Sequence, residues 1–88
     1  MAKRKGGYGQ LTTKLYSQFH VYFEGGAESV TAQNDTGPFD ILPGHANFFT
    51  LLTEGKVVIM SGGELFEYEV TRGVIQVYDN DVKVFVDI

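Results

Sequence analysis

From Leu11 onward the apolar positions recur every second residue rather than every 3.6, the spacing of strands whose successive side chains point to opposite faces. In Phe19-His20-Val21-Tyr22-Phe23 this puts Phe19, Val21 and Phe23 on one face and His20 and Tyr22 on the other. Glu24-Gly25-Gly26-Ala27 is expected to turn the chain into a short strand over 28–32, with Val30 inward. Asn34-Asp35-Thr36-Gly37-Pro38 is dense in turn formers. Pro43-Gly44 suits the centre of a type II turn, because glycine accepts the positive φ required there. Between these turns Phe39, Ile41 and Leu42 are expected to pack inward, with Pro38, His45 and Asn47 exposed beside them.

The segment 48–52 fits one helical turn as well as a strand, but the stretch between Gly44 and Gly55 is too short for a helix and its turns together. A strand is therefore expected. Another follows over 56–60, and Ser61-Gly62-Gly63-Glu64 closes a central hairpin onto 65–70. There Phe66, Tyr68 and Val70 face inward while Glu67 and Glu69 face water. Arg72-Gly73 breaks the chain before a strand over 74–78. Asp79-Asn80 then turns it into 82–88, where Val82, Val84, Val86 and Ile88 share one side. No helix is expected. Between about seven and about ten short strands with closely spaced turns read as an all-β fold, a flattened antiparallel β-sandwich or barrel in two sheets.

At 88 residues one core is all the chain can build, so a single domain is expected over 11–88. Seven Phe, five Tyr and 43% apolar content supply that core, and with no cysteine neither disulfides nor zinc thiolates can support it. Residues 1–10 are basic, glycine-rich and almost without apolar side chains; they are expected to form a flexible tail. Lys3, Arg4 and Lys5 leave four cations against all eleven carboxylates from Leu11 onward, a balance of −7. So acidic a body repels a phosphate backbone, and no nucleic-acid partner is expected. Gly6-Gly7-Tyr8-Gly9-Gln10 replaces the apolar run of a signal peptide, and no segment reaches the length of a membrane span. A soluble, cytoplasmic protein without direct membrane insertion is expected.

Catalysis by nucleophile and base needs a histidine held by a carboxylate. The chain has only His20, read as mid-strand, and His45, for which Asp40 is a distant orienting candidate. No catalytic residue is assigned. Asp79, Asp81 and Asp87 lack the alternating ligands of a calcium loop and read as turn and surface charges, so no metal is expected. Gly25-Gly26 and Gly62-Gly63 lack the following Lys-Ser or Lys-Thr of a phosphate loop, so no cofactor is expected either. What remains is a stiff β-domain that binds another protein through loops, with the segment between Gly37 and Asn47 as the place to look.

Gly37-Pro38-Phe39-Asp40-Ile41-Leu42-Pro43-Gly44-His45-Ala46 resembles the Gly-x-Phe-Gly-Ile-Leu-Pro-Gly-His-Ala signature of the N-terminal domain of the epsilon subunit of F-type ATP synthase, called delta in mitochondria. Ala27-Glu28-Ser29-Val30 is similar to that family's Val-Glu-Ser-Val. The stretches 51–55, 70–77 and 80–86 resemble its Ala-Leu-x-x-Gly, Val-Ser-Gly-Gly-x-Leu-x-Val and Asn-x-Val-x-Val-Leu. The resemblance implies a ten-stranded flattened sandwich that is not itself catalytic and takes no cofactor. It implies a place in the rotor at the membrane's cytoplasmic face, bound to the gamma subunit and to the c-ring. By the same resemblance Asn34, Asp35, Thr36, Gly37 and Pro38 face the c-ring. His45, Ala46 and Asn47 face gamma, with Pro43 and Gly44 as the structural turn. Tyr16-Ser17-Gln18 replaces the family's Thr-Pro-x-Gly, and Thr71-Arg72-Gly73 its Ser-Gly-Gly. The sequence ends at Ile88, ahead of the family's helical hairpin, so the inhibitory and nucleotide-binding roles of that hairpin are not assigned to these residues. A competing reading is a stand-alone sandwich of the same shape that binds another protein or a carbohydrate.

Overall fold

The computed structural model describes residues 10–87, so the expected tail, Gln10 apart, and Ile88 lie outside the described residues. Two hairpins organise the chain where tight turns were legible. Gly62 and Gly63 have φ of +60° and +82°, the conformation of a type I′ turn, and join β6 (Gly55–Ser61) to β7 (Glu64–Val70). Asp79 and Asn80, at +52° and +64°, do the same between β8 (Arg72–Tyr78) and β9 (Asp81–Asp87), because Asp and Asn tolerate the left-handed region better than other side chains. The remaining strands are β1 (Leu11–Tyr16), β2 (Val21–Ala27), β3 (Ser29–Asn34), β4 (Gly37–Ile41) and β5 (Phe48–Leu52).

These nine strands form two sheets, ordered β2-β1-β9-β8-β5 and β4-β3-β6-β7, which face each other as a sandwich. The inward rows are aliphatic and completely enclosed. Leu11 and Leu15, Ile75 and Val77, and Val82, Val84 and Val86 come from the first sheet and meet Val30, Val57 and Ile59 of the second. Aromatic pairs close both flanks: Phe23 against Phe66 at 5.4 Å between ring centroids, and Phe39 edge-on to Phe48 at 5.4 Å. Ser61 Oγ adds a hydrogen bond across the layers to the Gly26 carbonyl at 2.6 Å.

Several expectations change. The strand count among the described residues, nine, lies within the expected range, but one pairing is parallel: β1 lies between β2 and β9, antiparallel to the first and parallel to the second. β1 escapes sequence reading because Thr12, Thr13 and Lys14 dilute its apolar period; the buried Thr13 hydroxyl is satisfied by the Leu11 carbonyl at 3.1 Å. Phe19 does not share a strand face with Val21 and Phe23 but sits 90% exposed in the β1–β2 loop, and His20 precedes the strand instead of lying within it. A β-bulge explains the change of face. Leu15 is opposite Phe23 but Tyr16 is opposite Val21, so Tyr22 is the extra residue, Phe23 turns inward and Val21 outward.

Glu24 to Ala27 is no turn but the end of β2; the chain changes sheets at Glu28. Arg72 and Gly73 belong to β8, so the break before it is Thr71 alone. Leu42 is 54% exposed, since it follows the buried Ile41 by one residue and leaves the strand at that point. The Phe66 hairpin is not central, because β7 is an edge strand, yet its inward row is as expected: Val70 is buried, Phe66 and Tyr68 half-buried, Glu67 and Glu69 exposed. Half-burial moderates Phe66→Ala to about 2 kcal/mol, below the roughly 3–5 kcal/mol of a fully enclosed Phe. Urea denaturation would measure it, and an unchanged midpoint would mean that Phe66 does not pack on Phe23.

Candidate partner-binding site

The Leu42-Pro43-Gly44-His45 segment is a type II turn. His45 N–H donates to the Leu42 carbonyl at 3.0 Å and Gly44 has φ +86°, where proline's fixed φ precedes it and only glycine is unstrained. His45 emerges half-buried rather than fully exposed. Its ring stands edge-on to Phe48, 5.4 Å between centroids, and Nδ1 lies 2.7 Å from the Ala46 carbonyl. A carbonyl can only accept, so Nδ1 carries a proton and donates it to Ala46. Asp40 does not orient it: that carboxylate accepts the Thr31 hydroxyl at 2.6 Å on the outer face of β3. Ala46 and Asn47 are exposed, although Asn47 Oδ1 is engaged by the Asp79 N–H at 3.0 Å.

The second candidate group caps the β3–β4 hairpin. Asn34 Oδ1 accepts the N–H and hydroxyl of Thr36, at 2.9 and 2.7 Å, and its amide donates to Thr50 Oγ1 at 3.2 Å on the opposite sheet. This Asx-type closure leaves Asp35 and Thr36 exposed at the tip and Pro38 exposed on an edge strand, where its missing N–H costs no ladder bond. The two groups are not brought together. Asn34 pairs with Gly37 at one end of β4, and the His45 turn leaves the other end after Ile41, about 13 Å away at about 3.3 Å per residue. The two candidate groups therefore lie at opposite ends of β4.

Sequence reading missed a third surface. On the outer face of the five-stranded sheet, cross-strand register aligns Leu51 with Val74, Val74 with Phe85, Phe85 with Tyr16 and Tyr16 with Val21. One apolar side chain from every strand thus forms a continuous row, and a groove of about 310 Å³ runs beside Leu51, Val74 and Phe85. Leu51 and Phe49 are each 65% exposed. The signal was present: Phe48-Phe49-Thr50-Leu51-Leu52 is apolar on both of its faces, which one-sided packing does not require.

Asp81 and Asp87 lie at opposite ends of β9, paired with Lys83 at 2.9 Å and Arg72 at 3.0 Å. No cluster of three potential metal ligands occurs among the described residues. None of the helices that could cross a membrane is present among them either.

Two substitutions separate the geometry of the turn from its side chain. A Cβ at Gly44 meets no atom within 4 Å, so the cost of Gly44→Val is chiefly conformational, about 1–2 kcal/mol for a left-handed residue and more for a β-branched one. His45→Ala loses the edge contact with Phe48 and the exposed Nδ1 bond to the Ala46 carbonyl, and is expected to cost about 1 kcal/mol. Thermal melts of the two variants check the order, and a larger loss for His45→Ala would make its ring a core element.

The family described as the ATP synthase delta/epsilon chain β-sandwich domain matches residues 10–88. The ATP synthase epsilon chain of Geobacter metallireducens is 32% identical over 78 residues, covering 89% of this chain and 56% of that protein. The epsilon chain of Legionella pneumophila strain Corby is 35% identical over 81 residues, covering 89% and 58%. The chain thus spans little more than half the length of the curated relatives it matches. Among solved structures, a chain of the Euglena gracilis mitochondrial ATP synthase OSCP/F1/c-ring assembly superposes with a TM-score of 0.82 at 18% identity, over 98% of this chain and 59% of that one. One from the Tetrahymena thermophila mitochondrial ATP synthase central stalk and c-ring gives 0.73 at 17%, over 86% and 62%. Those likenesses establish the fold, and with the family match over nearly every described residue the chain belongs to the ATP synthase delta/epsilon family, of which it carries the β-sandwich domain.

Proposed function

We propose that the chain is a non-catalytic rotor subunit of a proton-translocating F-type ATP synthase, which links the gamma subunit to the c-ring and sits at the cytoplasmic face of the membrane through that complex. The observation that carries this reading is the separation of two exposed contact loops by one stiff sandwich. Torque must pass between two partners, and a two-layer sheet with an interdigitated core resists the shear that would dissipate it. In this reading Asn34, Asp35, Thr36, Gly37 and Pro38 meet the c-ring, whose loops are polar. His45, Ala46 and Asn47 meet gamma, and the apolar row from Leu51 to Val21 extends that contact across the outer face, as exposed apolar surface of this extent serves partner binding.

A tagged copy expressed in cells with intact gamma should be recovered from detergent-solubilised membranes together with gamma and the c-ring. Recovery of the tagged chain alone, free of both, would contradict the assignment. Within the recovered complex Gly44→Val should weaken gamma binding and folding together, whereas His45→Ala should weaken binding with little change in melting temperature.

A further inference from the structure

The turn that presents His45 leaves part of its own backbone unsatisfied. Its closing bond uses the His45 N–H, and the Gly44 N–H finds its acceptor 36 residues away, in Asn80 Oδ1 at 2.8 Å. Asn80 sits at φ +64° in the β8–β9 turn, and its own carbonyl accepts the Thr12 N–H at 2.8 Å, which anchors it to the start of β1. A second bond crosses the same gap in the opposite sense: the Asp79 N–H donates to Asn47 Oδ1 at 3.0 Å. The two bonds are reciprocal. Each segment donates one backbone N–H to the other and accepts one from it at an asparagine side-chain oxygen, and the two points on the loop, Gly44 and Asn47, flank His45 on either side.

We propose that Asn80 and Asn47 are positioning residues for the recognition turn, bracing it in the conformation in which His45 meets its partner; this rests on the reading of His45 as a gamma contact. A short exposed loop held by one internal bond samples many arrangements, and ordering it on association costs affinity. Two tethers to a hairpin that is itself fixed in the sheet remove that cost beforehand. On this view Asn47, though exposed, serves gamma binding through the geometry it imposes. Asn80 serves it without needing to touch the partner.

Asn80→Gly tests the effect, because glycine keeps the left-handed turn while the side-chain acceptor for the Gly44 N–H is lost. Asn80→Asp retains both the oxygen and the tolerance of positive φ. Amide hydrogen exchange on the full chain reads the brace directly, and titration with purified gamma reads its consequence. The Gly44 amide should exchange at least about fivefold faster in Asn80→Gly, gamma affinity should fall by a similar factor, the melting temperature should hold, and Asn80→Asp should restore both. Asn47→Ala provides an independent arm, with the Asp79 amide deprotected and affinity lowered. Unchanged Gly44 exchange in Asn80→Gly, or unchanged affinity despite faster exchange, would overturn the proposal. Were the wild-type chain to show no affinity for gamma, the functional reading would fall, and the Gly44 and Asp79 exchange rates alone would decide whether the brace exists.

Discussion

Gly73→Val should lower the stability of this domain by about 3 kcal/mol or more, the upper end of what overpacking costs in a filled interior. Gly73 lies in β8, between Val86 of β9 and Leu52 of β5, and a Cβ built there runs into the Phe85 carbonyl oxygen, with Val86 Cα and Cγ1 at 3.1 Å. The first two obstacles are backbone. They cannot rotate away as a side chain can, so relief requires β8 and β9 to part locally and lose ladder bonds. At about 4–8 °C per kcal/mol for a domain of this size, the melting temperature should fall by about 12 °C or more, and Gly73→Ala should fall between. A melt within a few degrees of the parent would mean that the β8–β9 register is wrong.

Ile59→Ala comes next, at about 3 kcal/mol within the roughly 2–5 kcal/mol range of buried Ile or Leu truncations. Ile59 is fully enclosed on an interior strand, opposite Val30 on one side and Phe66 on the other. The cavity would open among side chains fixed by two ladders, which leaves little room for collapse. Met60, the next residue, points to the other face and is 37% exposed, so Met60→Ala should cost well under half as much. Urea titrations of the pair should give a lower midpoint at similar slope for Ile59→Ala. Equal losses would mean that the inward row of β6 is misassigned.

Legibility followed the range of the interactions. The Gly62-Gly63 and Asp79-Asn80 turns, the Pro43-Gly44 turn and the inward row of Val82, Val84 and Val86 are set by neighbours in sequence, and all could be read. β1 could not, because its own apolar period is diluted and one of its two partner strands, β9, lies at the far end of the chain. The bulge at Tyr22 was equally hidden, since a one-residue slip leaves composition untouched while turning Val21 to the face opposite Phe23. At the candidate site the turn chemistry of Gly44 was visible. The brace from Asn80 was not, for no local pattern marks a bond that spans 36 residues, and Asn47 looked like a free contact residue for the same reason.

The sandwich as a two-ended link is tested most directly by photo-cross-linking in intact membranes, with the reactive group placed at position 45 in one variant and at position 36 in another. The expected result is a gamma adduct from position 45 and a c-subunit adduct from position 36, each absent from the other variant. The same partner captured from both positions, or no adduct with either subunit in membranes that contain both, would contradict it.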